Sequence, residues 1–193
     1  MGQSRKKVVV AVLSIVLLVS VVGGWALSRS SDDVDANLTS PGVEQTPGIG
    51  TNANNTGKKF SFVEVTDVLS GANVTITPTG KPMVVNFWFS TCEPCKREMP
   101  SLTAAAAKYG MLVNFVGINP NDTEVSATAF LEKYNINYAN YLDNGEQLAK
   151  AGVTTMPTTF FINKDGYIVK THAGELSADD IDSILMDDLG VSL

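Results

Sequence analysis

The feature that most constrains the fold is an apolar strand that runs directly into a helix bearing both cysteines. Residues 83–89 (Met-Val-Val-Asn-Phe-Trp-Phe) are almost entirely apolar, as is typical of a central strand covered on both faces. Cys92-Glu93-Pro94-Cys95 follows at once, and a helix is predicted from Pro94 to Lys108. The two cysteines are therefore expected at a helix N-terminus, at one edge of a sheet.

The remaining patterns alternate strands and helices around this unit. Further strands are predicted over 60–65, 73–77, 112–118, 138–142, 158–163 and 167–172. Further helices are predicted to start at Asn121 and to cover 146–151 and 177–189. Parallel strands joined by helices and closed by an antiparallel hairpin predict a mixed α/β fold.

A charge-free apolar segment near the N-terminus predicts a membrane anchor. Val8–Leu27 contains 16 apolar residues out of 20, and a helix of that length spans about 30 Å, the thickness of a bilayer core. Three basic residues precede the segment and three aspartates follow it, so the positive-inside rule places the N-terminus in the cytoplasm. We therefore predict a single-pass protein of the cytoplasmic membrane, anchored by residues 1–27, with its domain on the outer side.

A cleaved signal peptide is the alternative for the same segment. Ala26-Leu27-Ser28 offers small residues suited to a cleavage site. The long apolar run, with Trp25 at its outer edge, favours an uncleaved anchor. Both alternatives export the rest of the chain.

Composition then separates a tether from a folded domain. Between residues 28 and 59, 21 of 32 residues are Ser, Thr, Asn, Asp, Gly or Pro, and none is aromatic. Such a segment cannot bury enough apolar surface to offset the entropy lost on ordering. We predict a flexible linker over residues 28–57 and one domain over residues 58–193, which is long enough for a single core.

The chain has two cysteines, both in this one motif, which restricts their chemistry. A helix N-terminus stabilises a thiolate, so Cys92 can act as nucleophile and Cys95 can attack the mixed disulfide that forms. Zinc would need a second ligand pair, and a c-type haem site would need His where Lys96 stands. The strand-to-helix context predicts a redox-active dithiol without metal or other cofactor, rather than a disulfide that only pins a loop.

Val84–Cys95 resembles the active-site strand and helix of the thioredoxin superfamily, and Cys95–Pro100 resembles its membrane-tethered TlpA-like and ResA-like branch. Three further segments are similar to that branch: 60–77, 119–142 and 155–160. The resemblance covers essentially all of residues 58–193. It implies a thioredoxin-like fold, in which helices flank a central mixed sheet, with an N-terminal hairpin and a central insertion.

The resemblance also implies roles for individual residues. Pro157 would be a cis proline beside Cys92, and the backbone of Met156 would pair with an extended substrate segment. Glu98, three residues after Cys95, would belong to the active site rather than to a solvated helix face. The other predicted contacts with substrate are Glu93, Pro94 and Trp88.

Two residues depart from the family pattern. Thr91 stands where Trp is usual, so the rim of the site is less apolar, and Asn86 stands where thioredoxin has a buried acid that moves protons. Because Asn does not titrate, proton handling is expected to fall to Glu98 or to water. His172, the one histidine, is predicted to be a surface strand residue rather than a catalytic base.

Charge around the motif predicts the direction of electron flow. A strongly stabilised thiolate makes an oxidant; Glu93 and Glu98 oppose that charge, whereas Lys96 and Arg97 favour it. The balance favours a reductant, which the resemblance also implies. TlpA-like and ResA-like proteins typically reduce protein disulfides outside the cytoplasmic membrane, with electrons from a transmembrane thiol carrier of the CcdA or DsbD kind. In the ResA-like case the substrate is apocytochrome c.

Two other functions compete with a monomeric disulfide reductase. One is an extracytoplasmic disulfide oxidase or isomerase on the same fold. The other is a copper(I) carrier that uses both thiolates and His172, against which the two-residue spacing of the cysteines argues. Nucleic acid is not an expected partner, because 14 Lys and Arg against 20 Asp and Glu give a formal net charge of −6.

Overall fold

The computed structural model describes residues 52–61 and 63–192. The predicted anchor over residues 1–27, with its alternative cleavage site, lies outside the described residues, as does the predicted linker up to residue 51. In the part of the chain that is described, no helix is both long and apolar enough to cross a membrane.

Strands and helices follow one another in the order that the sequence predicts. The strands are β1 (Val63–Asp67), β2 (Asn73–Ile76), β3 (Met83–Phe87), β4 (Asn114–Asn119), β5 (Ala139–Leu142), β6 (Thr158–Ile162) and β7 (Ile168–Ala173). The helices are α1 (Glu93–Tyr109), α2 (Glu124–Lys133), α3 (Glu146–Lys150) and α4 (Ala178–Ser183), and α4 continues into a π-helical turn at Ile184–Asp188.

The strands form one sheet in the order β2-β1-β5-β4-β3-β6-β7. The central strands β3, β4 and β5 run parallel, and the other neighbours pair antiparallel. Because β3 lies inside the sheet, all five of its residues are buried. Its side chains alternate between two hydrophobic cores, one containing Val84 and the other Val85. The predicted mixed α/β fold is confirmed.

The core on one side of the sheet holds the cysteine helix in place. Met99, Leu102 and Ala105 of α1 are buried against Ile181 and Leu185 from the C-terminal helical segment. Their spacing along α1 gives the helix one apolar face. This packing fixes the position of the N-terminal turn of α1, where Cys92 and Cys95 lie.

Trp88, directly after β3, belongs to this core and not to the surface. Its exposed fraction is 0%, its ring stacks on Phe130 with the centroids 4.5 Å apart, and its Nε1 donates to Asn140 Oδ1 at 2.9 Å. A Cβ atom at Gly117 would lie 1.9 Å from that same oxygen, so glycine leaves room for the bond. The predicted contact between Trp88 and substrate is therefore wrong.

Helix α2 begins later than predicted. Thr123, and not Asn121, precedes its first turn: Thr123 Oγ1 accepts from Ser126 N at 3.3 Å, and Ser126 Oγ accepts from Thr123 N at 3.0 Å. This reciprocal pair satisfies two N–H groups that a helix start would otherwise leave free. The backbone of Asn121 instead donates to Asn119 Oδ1.

The folded domain begins before residue 58. Ala53 N donates to Gly152 O at 2.8 Å, and Asn55, which is 7% exposed, donates from Nδ2 to Ala151 O at 2.7 Å. Residues 52–57 had the composition of a linker, but their polar groups are used to bind the loop before β6. The boundary predicted at residue 57 is therefore too late.

Candidate active site

Cys92 and Cys95 form a disulfide at the N-terminus of α1. Cys92 has extended backbone and is the capping residue of the helix, with its Sγ accepting from Cys95 N at 3.2 Å. Pro94 lies in the first turn, where a missing N–H leaves no helical bond unmade. The local sequence thus places both sulfurs at the positive end of the helix dipole.

The two cysteines differ in access to solvent. Cys92 is 5% exposed and Cys95 is 0% exposed, so Cys92 is more deeply buried than a helix tip suggests. The order of access nevertheless suits attack through Cys92 and resolution by Cys95. Glu93 is exposed and Pro94 half-buried beside them, and their contact with substrate stays a prediction.

The Met156–Pro157 peptide bond is cis, as the resemblance implies. β6 begins at Thr158, which pairs with Phe87 at the end of β3. Because Cys92 follows β3 within five residues, this register brings Met156 and Pro157 to the edge of the sheet that carries the disulfide. The half-buried Met156 packs against both cores.

Glu98 is a buried carboxylate one turn after Cys95. It is 0% exposed; Oε1 accepts from Asn86 Nδ2 at 2.8 Å, and Oε2 accepts from Leu176 N at 3.2 Å. Burial raises the pKa of Glu98 to about 7, although the bonds from Asn86 and Leu176 oppose that rise. A solvated helix carboxylate is thereby excluded, and the group can exchange a proton near neutral pH.

Asn86 occupies the position of the expected buried acid and connects three elements. From β3, its Nδ2 donates to Glu98 on α1 and to Thr159 Oγ1 on β6 at 2.9 Å. All three side chains are at most 1% exposed. At this site the buried carboxyl group is therefore that of Glu98, and the amide of Asn86 holds it by a hydrogen bond.

The other charges around the motif are paired, and all except the half-buried Lys96 are exposed. Lys96 forms an ion pair with Glu93, and this contact lowers the pKa of Glu93. Arg97 Nε lies 2.7 Å from Glu175 Oε2. Exposed pairs of this kind act weakly at a distance because water and salt screen them. Glu98, unlike the side chains of these two pairs, is fully buried.

Sequence reasoning missed Asp122, which holds the loop before Cys92. Its Oδ2 accepts from Ser90 N and its Oδ1 from Ser90 Oγ, both at 2.7 Å, and Asn119 Nδ2 donates to Oδ2 at 2.6 Å. Because β3 and β4 are parallel neighbours, the residues after each strand meet at one edge of the sheet. The polar run Asn119-Pro-Asn-Asp122 after a buried strand was the signal available.

Comparison with known proteins identifies the family. The Redoxin family model matches residues 52–185. The chain belongs to the Redoxin family. This redoxin is 30% identical over 132 residues to thiol-disulfide oxidoreductase ResA of Bacillus thuringiensis subsp. konkukian, a match that covers 67% of this chain and 76% of that protein.

Solved structures agree with this family. The redoxin is similar to a secreted disulfide oxidoreductase of Mycobacterium tuberculosis homologous to E. coli DsbE, with 32% identity, a TM-score of 0.55, and 63% of this chain and 92% of that chain covered. Bacillus subtilis StoA shares the fold at 24% identity and a TM-score of 0.56, with 64% and 95% covered. The chain is a ResA-like thiol–disulfide oxidoreductase with the thioredoxin-like fold, and Cys92 and Cys95 are its Cys-x-x-Cys pair.

His172 of this redoxin lies on β7, half-buried, with Nε2 3.3 Å from Glu175 O. Among residues 52–61 and 63–192, no group of three or more His, Cys, Asp or Glu side chains is placed to hold a metal ion.

Replacing Asp122 with Ala is expected to slow disulfide reduction about tenfold, because the loop carrying Cys92 loses both bonds to Ser90 and must be ordered during reaction. Asp122→Asn keeps one acceptor oxygen and is expected to lose less. Steady-state insulin reduction measures both variants. Equal rates for Asp122→Ala and wild type would contradict the role assigned to Asp122.

Proposed function

We propose that this redoxin reduces protein disulfides on the outer side of the cytoplasmic membrane. The observation that carries the direction of the proposal is Glu98, a carboxylate buried one turn after Cys95 with a pKa raised to about 7. The proposed reaction uses no cofactor besides the dithiol, and the proposed unit is a monomer.

A buried carboxylate favours the oxidised form of the dithiol pair. In the apolar interior, negative charge on Glu98 is poorly screened and raises the free energy of a thiolate on the same helix turn. Thiols of higher pKa give up their electrons more readily and form the disulfide, which corresponds to a low reduction potential. The helix N-terminus opposes this effect by stabilising the Cys92 thiolate.

The proposed reaction balances two electrons and two protons. The Cys92 thiolate attacks one substrate sulfur, forms a mixed disulfide and releases the other substrate sulfur as a thiolate, which takes up a proton. Glu98 then accepts the proton of the Cys95 thiol, and the Cys95 thiolate attacks Cys92 Sγ. This second step forms the Cys92–Cys95 disulfide and releases the second substrate thiol. Glu98 passes its proton to that leaving sulfur or to solvent.

The cellular setting of the proposal comes from the sequence. The apolar segment over residues 8–27 and the basic residues before it support export and anchoring. Electrons would come from a transmembrane thiol carrier of the CcdA or DsbD kind. The proposed substrate is a disulfide-bearing protein such as apocytochrome c, presented as an extended segment to Met156.

The reduction potential tests the direction of electron flow. Equilibration with glutathione is expected to give a potential near that of thioredoxin, about −270 mV. Glu98→Gln removes the buried charge and is expected to raise the potential by about 30 mV, a tenfold change in the equilibrium constant. A wild-type value near that of DsbA, about −120 mV, would favour the oxidase alternative and contradict the proposal.

A further inference from the structure

Asn52 binds the loop that leads to the cis proline. Its Oδ1 accepts from Thr154 N at 2.7 Å and from Thr155 N at 2.9 Å, and its Nδ2 donates to Thr158 Oγ1 at 2.5 Å. Thr158 Oγ1 in turn donates to Thr155 O at 2.8 Å. One side chain thus fastens the loop on both sides of Met156 and Pro157.

The residues after Asn52 continue the same contact. Ala53 N and Asn55 Nδ2 bind the carbonyl oxygens of Gly152 and Ala151, and a Cβ atom at Gly152 would lie 2.6 Å from Ala53 Cβ. Gly152 also has a positive φ of 61°, so the loop needs glycine there for its backbone as well as for this close approach. Residues 52–55 are therefore fitted to the loop.

The fastened loop leaves the backbone N–H and C=O of one residue, Met156, available. Across residues 52–61 and 63–192, no hydrogen bond uses the backbone N–H or C=O of Met156. The neighbouring groups are occupied: Thr155 N binds Asn52 Oδ1, and Pro157 O accepts from Gly174 N at 2.8 Å. An extended substrate segment would find Met156 already placed as a short edge to pair with.

We propose that Asn52 is a positioning residue for substrate binding, which presets the 151–158 loop so that Met156 can pair with the polypeptide around the target disulfide. This inference rests on the proposed function, in which the substrate is a protein disulfide. Without Asn52, the loop would have to become ordered when substrate binds. The conformational entropy lost in that ordering would weaken binding. The chemistry at Cys92 would be unchanged, because Asn52 contacts neither cysteine.

The test compares a protein disulfide with a small one. With insulin, Asn52→Ala is expected to raise KM roughly five- to tenfold while kcat stays within about twofold. With hydroxyethyl disulfide, which has no peptide backbone to pair, its rate is expected to match wild type. Asn52→Asp keeps the oxygen that accepts from both N–H groups, so its KM for insulin is expected to lie much closer to the wild-type value than that of Asn52→Ala.

Asn54→Ala is the matched control, because Asn54 is exposed and its Oδ1 accepts only from Thr56 N within the described contacts. It is expected to behave as wild type with both disulfides. A wild-type insulin KM for Asn52→Ala, or an equal loss of kcat with both disulfides, overturns the positioning role. If wild-type protein reduces hydroxyethyl disulfide but not insulin, the proposed function is overturned, and the positioning role with it.

Discussion

Cys92→Ser is expected to reduce insulin no faster than dithiothreitol alone, a loss of at least about 10³-fold. Cys92 is the more accessible sulfur, at 5% exposure against 0% for Cys95, and its position at the start of α1 stabilises the attacking thiolate. A serine hydroxyl in the same place does not ionise near neutral pH, and it forms no mixed disulfide. The second cysteine cannot substitute, because it is fully buried.

Cys95→Ala is expected to stop the reaction half-way. Cys92 can still attack, but no neighbouring thiol resolves the mixed disulfide, which should accumulate and be visible by mass spectrometry as a covalent adduct. The double variant Cys92→Ser/Cys95→Ala is the control and should capture nothing. Substantial insulin reduction by Cys92→Ser, or adducts on the double variant, would contradict the assigned order of attack.

Glu98 is expected to make the oxidised domain less stable as pH rises. Its pKa is raised from 4.5 to about 7 in the folded state, so between these values the folded protein holds a proton that the unfolded chain has released. The resulting stability is fully present below pH 4.5 and is lost as pH rises through 7. A difference of about 2.5 pKa units corresponds to roughly 3 kcal/mol of unfolding free energy.

Urea unfolding of oxidised protein at pH 4.5 and pH 8 measures this loss. Between pH 4.5 and pH 8, the unfolding free energy of Glu98→Gln should fall by about 3 kcal/mol less than that of wild type, because glutamine does not titrate. This expectation holds whatever the stability of the variant at pH 4.5. Glu132→Gln, at an exposed glutamate of α2, is the matched control and should keep the wild-type difference. Equal differences for wild type and Glu98→Gln would show that folding does not raise the pKa of Glu98.

The order of strands and helices could be predicted from the sequence because the strongest patterns are local. The apolar run of β3, the Cys-x-Pro-Cys helix start and the Asp165-Gly166 turn each specify their element within a few residues. The cis peptide bond before Pro157 was predicted from the family resemblance, since the local sequence alone does not distinguish cis from trans.

Contacts between distant residues could not be predicted in the same way. Glu98 lies in the second turn of α1, and the sequence of the helix alone does not say how deeply that position is buried. Its burial depends on contacts with Leu176 and Asn86, which belong to other parts of the chain. Trp88 follows the apolar residues of β3, but its side chain faces the core because it stacks on Phe130 and donates to Asn140, both distant in sequence. Asn52 lies in a segment with the composition of a linker. The same polar residue types occur in solvated linkers and in ordered loops, so composition alone does not reveal its contacts.

The close approach of Gly117 to Trp88 and Asn140 couples the residue types that these three positions can hold. Any side chain at Gly117 would collide with the Asn140 amide, 1.9 Å from its first carbon, and with Trp88 Nε1 at 2.8 Å. A homologue or a redesigned protein with a larger residue there must therefore also replace the amide or the indole. A larger residue at Gly117 should thus be inherited together with a change at Asn140 or Trp88, and a library that varies Gly117 alone should recover only glycine.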